Sequence, residues 1–153
     1  MHAHAETHGE SQNRAAFSAT VHCLTGCGIG EVVGMAIATA LDWGNFASIV
    51  LAVALAFVFG YSLTLGPVLR AGVGFRQAAG IALAADTISI AIMEAVDNGF
   101  VLLVPGAMEA GLGDAKFWWS ILLGLGIAFA PAFLANRALI RRGRGHAVAH
   151  AYH

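Results

Sequence analysis

The chain has 153 residues, of which 58% are hydrophobic and only 11% charged, against roughly 25% charged in an ordinary soluble domain. Too few polar side chains remain to cover a water-facing surface, which excludes a soluble globular domain as well as bulk disorder. A net charge of -1 and two cysteines exclude a basic nucleic-acid-binding face and a disulfide scaffold. The composition is that of an integral membrane protein whose main partner is the lipid bilayer.

The apolar residues gather into four spans, about 17–41, 46–65, 78–96 and 117–140, each close to the ~20 residues a membrane-crossing helix needs. The expected fold is therefore all-α, a bundle of four transmembrane helices. Residues 1–16 read as a flexible cytoplasmic tail containing histidines, 17–140 as the transmembrane domain, and 141–153 as a basic, His-rich tail. Gly66-Pro67 closes the second span and Asp97-Asn98-Gly99 interrupts the third. The short apolar run Phe100–Val104, ended by Pro105-Gly106, reads as a re-entrant or interfacial segment near 99–108. Pro131 is placed to kink the fourth span.

Threading four helices alternately puts Arg14, Arg70, Arg76, Arg137, Arg141, Arg142 and Arg144 on one side and only Lys116 on the other. Positive residues stay inside, so both termini are expected to be cytoplasmic and the protein to lie in the cell (inner) membrane. Trp43, Trp118 and Trp119 then fall at the opposite interface, where amphipathic rings prefer to lie.

The polar residues within the spans carry the functional argument. In the first span Cys23, Cys27 and Glu31 recur every four residues and make one helical stripe, which Met35 extends. Thiolate, carboxylate and thioether on one face, with His22 beside them, match a ligand ladder for a soft or borderline transition metal, copper or zinc. The competing reading is that the cysteines are small buried apolar residues. Glu31 weighs against it, because a carboxylate near the bilayer centre costs several kcal/mol unless it is paired, neutralised or facing water. The same span carries Gly26, Gly30 and Gly34, a small-xxx-small face on which another helix can approach closely. That helix belongs either to the same subunit or to a second copy in a homo-oligomer.

On the third span Asp86, Ser89, Met93 and Asp97 fall near one face, with Glu94 beside Met93. Counting helix rise outward from midpoints near Ile29 and Thr87 sets Cys27 close to Asp86, Glu31 level with Ser89, and Met35 level with Met93. Two acidic helices meeting layer by layer describe a cation path or proton relay; the bland alternative is a hydrogen-bonded polar core. Asp97 and Asn98 are placed at the interface, as caps. Tyr61, Ser62 and Thr64 are positioned to line the same core near Cys23, and Asn136 to join its inner end. In the tail, His146, His150 and His153 would share one helical face, and short His-rich tracts are metal-binding candidates.

The strings His22-Cys-Leu-Thr-Gly-Cys-Gly-Ile-Gly-Glu31, Ala85-Asp-Thr-Ile-Ser-Ile90 with Met93-Glu94, Pro105-Gly-Ala-Met108, and Gly145-His146 with His150 resemble the small prokaryotic membrane proteins grouped as domain of unknown function 4396. The resemblance runs over roughly residues 17–153. It implies a four-helix membrane domain and, through a loose association of some members with copper proteins, hints at copper. It implies no activity.

The leading expectation is a non-enzymatic membrane protein that binds copper or another transition metal and moves it or hands it over. Cys23, Cys27, His22 and Glu31 would be ligands and Asp86, Met93, Glu94 and Met35 the partner face, with His146, His150 and His153 as accessory ligands. The alternative is a proton- or monovalent-cation-coupled transporter or channel that uses Glu31, Asp86 and Glu94. A further alternative is a membrane assembly factor that docks through the glycine face. No nucleophile–base pair or phosphate loop is visible that would suggest an enzyme.

Overall fold

A computed structural model describes the backbone of residues 2–144, with side chains from Glu10 onward. His146, His150 and His153 lie outside the described residues. Four helices follow in chain order: α1 (His2–Ala40), α2 (Asn45–Arg70), α3 (Phe75–Leu103) and α4 (Ala115–Arg141). All four are long and apolar enough to cross a membrane. Large apolar side chains point away from the bundle, among them Phe46, Val58, Leu122 and Leu134, as lipid rather than water requires.

The helix ends follow local chemistry. Asp42 takes the left-handed conformation (φ 53°) in the tight turn between α1 and α2, a position an aspartate tolerates better than most side chains. Pro67 lies in the last turn of α2, and Gly72 (φ 85°) turns the chain into α3. Arg70 ends α2 and Arg141 ends α4, while Arg76 opens α3. These arginines share one end of the bundle, and Trp43, Trp118 and Trp119 mark the other. Helix α4 continues through Pro131.

Three expectations need correction. First, the amino-terminal residues read as a flexible tail extend α1, which begins at His2. Second, Asp97-Asn98-Gly99 does not interrupt the third span. The Asn98 side chain donates back to the Glu94 carbonyl (2.9 Å) and to Glu94 Oε2 (3.1 Å), which lets the helix absorb the roughly 1 kcal/mol a glycine costs. Third, Phe100–Leu103 is the last turn of α3 rather than a re-entrant segment. The helix stops because Pro105 disfavours helical backbone in the residue before it, and Val104 is extended (φ -87°, ψ 114°). Residues 104–114 then fold over the tryptophan end, burying Ala107 and Ala110. Lys116 Nζ donates to the Pro105 carbonyl (3.3 Å) and Trp118 Nε1 to that of Leu112 (2.8 Å).

Helices α1 and α2 pack through small residues in an antiparallel register. The buried face of α2 is Ser48, Ala52, Ala56, Gly60, Thr64 and Val68, one residue every four. Gly26 meets Gly60, Gly30 meets Ala56 and Gly34 meets Ala52, so closely that a Cβ on any of the three glycines would run into α2 backbone. This settles the choice left open by the sequence: the glycine face is covered within the chain and is not exposed for a second copy or a docking partner. The adjacent face of α1 turns toward α3 and α4, where Cys23, Cys27, Ile90, Met93, Ile121, Leu125 and Ala128 form the apolar core.

Candidate functional site

The polar stripe predicted on α1 faces α3, and both cysteines are fully buried there as free thiols. At the arginine end, Cys23 Sγ lies 4.0 Å from Asp86 Oδ1 and beside Ser89. Asp86 also neighbours Thr64 of α2, whose hydroxyl is 2.9 Å from His22 Nε2. Below this layer, buried Asn136 of α4 donates to Thr20 Oγ1 (3.1 Å) and Ser89 Oγ (2.9 Å), tying α4 to α1 and α3. One turn up α1, Cys27 stands beside Glu94, which Asn98 holds from the next turn of α3. Another turn up, the Glu31 carboxyl faces that of Asp97, with Glu94 nearby.

The depth matching is thus displaced by one to two helical turns. Cys23 rather than Cys27 meets Asp86, and Glu31 meets Asp97 rather than Ser89. The extent of α3 accounts for the direction of the displacement and a small part of it. The helix runs to Leu103, well past the end read from Asp97, so its midpoint lies further along the chain. Met93 joins the buried core, and half-buried Met35 packs against it.

Asp97, placed at the interface by the sequence, is the largest revision. It is 2% exposed and Glu31 4% exposed. The two carboxyls have each other as partner, and beyond that both oxygens of Glu31 and Oδ1 of Asp97 meet no hydrogen-bond donor among the described residues. Its room comes from Gly124 of α4, where a Cβ would collide with the Asp97 carboxyl. The signal for Asp97 was present, since it continues the Asp86–Met93 face by one turn, but the following Asn98-Gly99 resembled a helix end. Nothing in the sequence singled out Gly124.

The carboxyls of Glu31, Asp86, Glu94 and Asp97 are all buried, while no described lysine or arginine is. Two facing carboxylates in a low-dielectric interior repel unless a proton or cation lies between them. The arrangement can therefore accept a proton or cation between facing carboxyls. His22 meets Thr64 of α2, and among the described residues no three His, Cys, Asp or Glu side chains converge as a metal-binding group.

Two comparisons with known proteins are silent, for the chain has no match among curated proteins and none among solved structures. A family model does match, over residues 12–145 and so nearly the whole chain. The four-helix membrane domain expected from the cysteine-containing string of α1 is the architecture observed. The chain belongs to the family described as domain of unknown function (DUF4396).

Proposed function

We propose that this protein is a non-enzymatic carrier or channel that moves protons or a monovalent cation across the cell membrane along the seam between α1 and α3. The observation that carries the reading is the row of buried carboxyls, Asp86, Glu94, Glu31 and Asp97, with no buried lysine or arginine to neutralise it. Ionisable groups at this depth are expensive, and their usual use is a cation path or proton relay. His22, Thr64 and Asp86 form the entry at the arginine end, and Glu31 with Asp97 the exit at the tryptophan end. The distribution of arginines supports a cytoplasmic first end, with both termini inside.

A second reading rests on the thiols. Cys23 and Cys27 are fully buried on the same seam, next to Asp86 and Glu94, and a soft metal such as copper would find thiolate and carboxylate there once the side chains rearranged.

One experiment separates the two. Purified full-length protein is reconstituted into liposomes, and flux is followed under an imposed proton, sodium or potassium gradient, with a separate arm for copper. The proposal expects flux that Glu31→Gln abolishes and Cys23→Ser/Cys27→Ser leaves intact. Copper uptake lost in both variants would favour the metal reading. No flux of any of these ions from folded protein would overturn both.

A further inference from the structure

The end of α4 collects arginines that the bundle does not use. Half-buried Arg137 and exposed Arg141 are four residues apart on one stripe. Arg142 follows as the C-cap residue, and it lines an open groove with Arg141 and Ala138. Arginines near a helix C-terminus commonly serve its free carbonyls, but here the backbone supplies the donors. Gly143 takes the left-handed conformation (φ 66°). The amides of Arg142 and Arg144 donate to the Leu139 carbonyl (3.1 and 2.8 Å), and that of Gly143 donates to Ile140 (3.0 Å). Arginines also pair with acids, yet no side chain among the described residues hydrogen-bonds or ion-pairs with these three guanidiniums. Glu10 is the one acid with a described side chain beyond the Asp86 layer at this end. With Thr20 and Asn136 level, helix rise sets Glu10 more than one turn further out than Arg141. Like charges at i and i+4 repel, so the stripe calls for an anion that the described chain does not supply. Orientation in the membrane needs basic residues at this end, but it does not need them on one stripe.

The rest of that stripe points to the kind of anion. Leu123, Ile127 and Leu134 are 52%, 49% and 61% exposed, and steps of four, seven and seven residues lead from Leu123 through them to Arg141. Arg137 follows Leu134 by three residues, a position where an arginine keeps its stem on apolar surface and extends its charge to the interface. An apolar track that ends in guanidiniums repeats the layout of a phospholipid, acyl chains first and headgroup last. We infer that the end of α4 is a binding site for an anionic phospholipid whose headgroup carries two phosphodiesters, as in cardiolipin. Arg137, Arg141 and Arg142 would hold the phosphates, and the acyl chains would lie along Leu134 and Ile127. Guanidinium forks match phosphate oxygens, and three unpaired cations in one place favour two phosphates over one. Basic recesses at the ends of membrane helices suit such headgroups. The site lies on the lipid face of α4 and does not depend on a cation path between α1 and α3.

The test is native mass spectrometry of the full-length protein in detergent, with cardiolipin, phosphatidylglycerol and phosphatidylcholine added in turn and inorganic phosphate as a competitor. Cardiolipin is expected to form a one-to-one adduct, held at least about tenfold more tightly than either other lipid and weakened by salt. Arg141→Gln/Arg142→Gln should weaken it about thirtyfold and Arg137→Gln about fivefold. Arg70→Gln/Arg76→Gln removes the same charge from the same end of the bundle and should bind as the unaltered protein does. In detergent the orientation of the protein in a membrane plays no part, so a loss in the α4 variants reads the site itself. Size exclusion shows which variants remain folded, and the lipid preference of the unaltered protein is read without any substitution. Cardiolipin bound no more tightly than phosphatidylglycerol or phosphatidylcholine would overturn the inference. So would an equal loss in Arg70→Gln/Arg76→Gln, or displacement of the lipid by equimolar inorganic phosphate.

Discussion

The two faces of α1 between His22 and Ala38 are built on the same four-residue step and have opposite chemistry. One presents Gly26, Gly30 and Gly34 and packs backbone to backbone on Gly60, Ala56 and Ala52 of α2. The other presents Cys23, Cys27 and Glu31 and meets Asp86, Glu94 and Asp97 of α3. In lipid no hydrophobic driving force holds helices together, so close van der Waals contact between small residues supplies it. The α1–α2 face can therefore carry stability with almost no side chains. The α1–α3 face is free to hold groups that, judged by packing alone, should not be there. Stability and chemistry are separated by about a quarter turn of one helix.

The sharpest way to break this contrast is to fill the small-residue face. A Cβ at Gly30 already falls on the Ala56 backbone, so Gly30→Leu should cost about 3 kcal/mol or more. The expected outcome is loss of monodisperse folded protein on size exclusion, and a well-folded Gly30→Leu variant would show that α2 can move away cheaply. The adjacent face should behave the other way. Glu31→Gln, nearly the same shape, should keep the unfolding midpoint in detergent within a few degrees while flux in liposomes falls more than about tenfold. Asp97→Asn should do the same.

Smaller effects sharpen the boundary between the faces. Asn136→Ala removes two hydrogen bonds linking α4 to Thr20 and Ser89, which should lower stability by about 1 kcal/mol, read from unfolding in mixed detergents. If flux falls with it, the arginine end of the seam is part of the path rather than a clasp. Least of all should come from the lipid side, where Leu122→Ala is expected to change stability by less than about 0.5 kcal/mol and flux not at all.

Much of this could be read from residues in order. The scarcity of charge required a membrane, the apolar runs gave four spans, and the i+4 recurrence of Cys23, Cys27 and Glu31 put them on one stripe. The places where the reading failed share a cause. Asp97-Asn98-Gly99 has the composition of a helix end, yet α3 continues, with the Asn98 side chain bonded back to Glu94 inside the helix. With the helix continuing to Leu103 and the layers shifted by one to two turns, Asp97 moves from a cap into the site. Met35 and Met93 illustrate the same limit, since the spacing put them on the right faces but not at the right depths.

What the sequence determined by itself, then, is whatever periodicity and transfer free energy decide within one helix: that the chain spans a membrane, how many times, and which residues share a face. Tertiary structure alone decided which faces meet, and at what register. That α2 rather than a second copy covers Gly26, Gly30 and Gly34, that Glu31 faces Asp97, and that Gly124 of α4 makes room for the Asp97 carboxyl all depend on contacts between residues far apart in the chain. Helix rise fixes distances along one axis only, and the offset between two axes is set by how their side chains interlock.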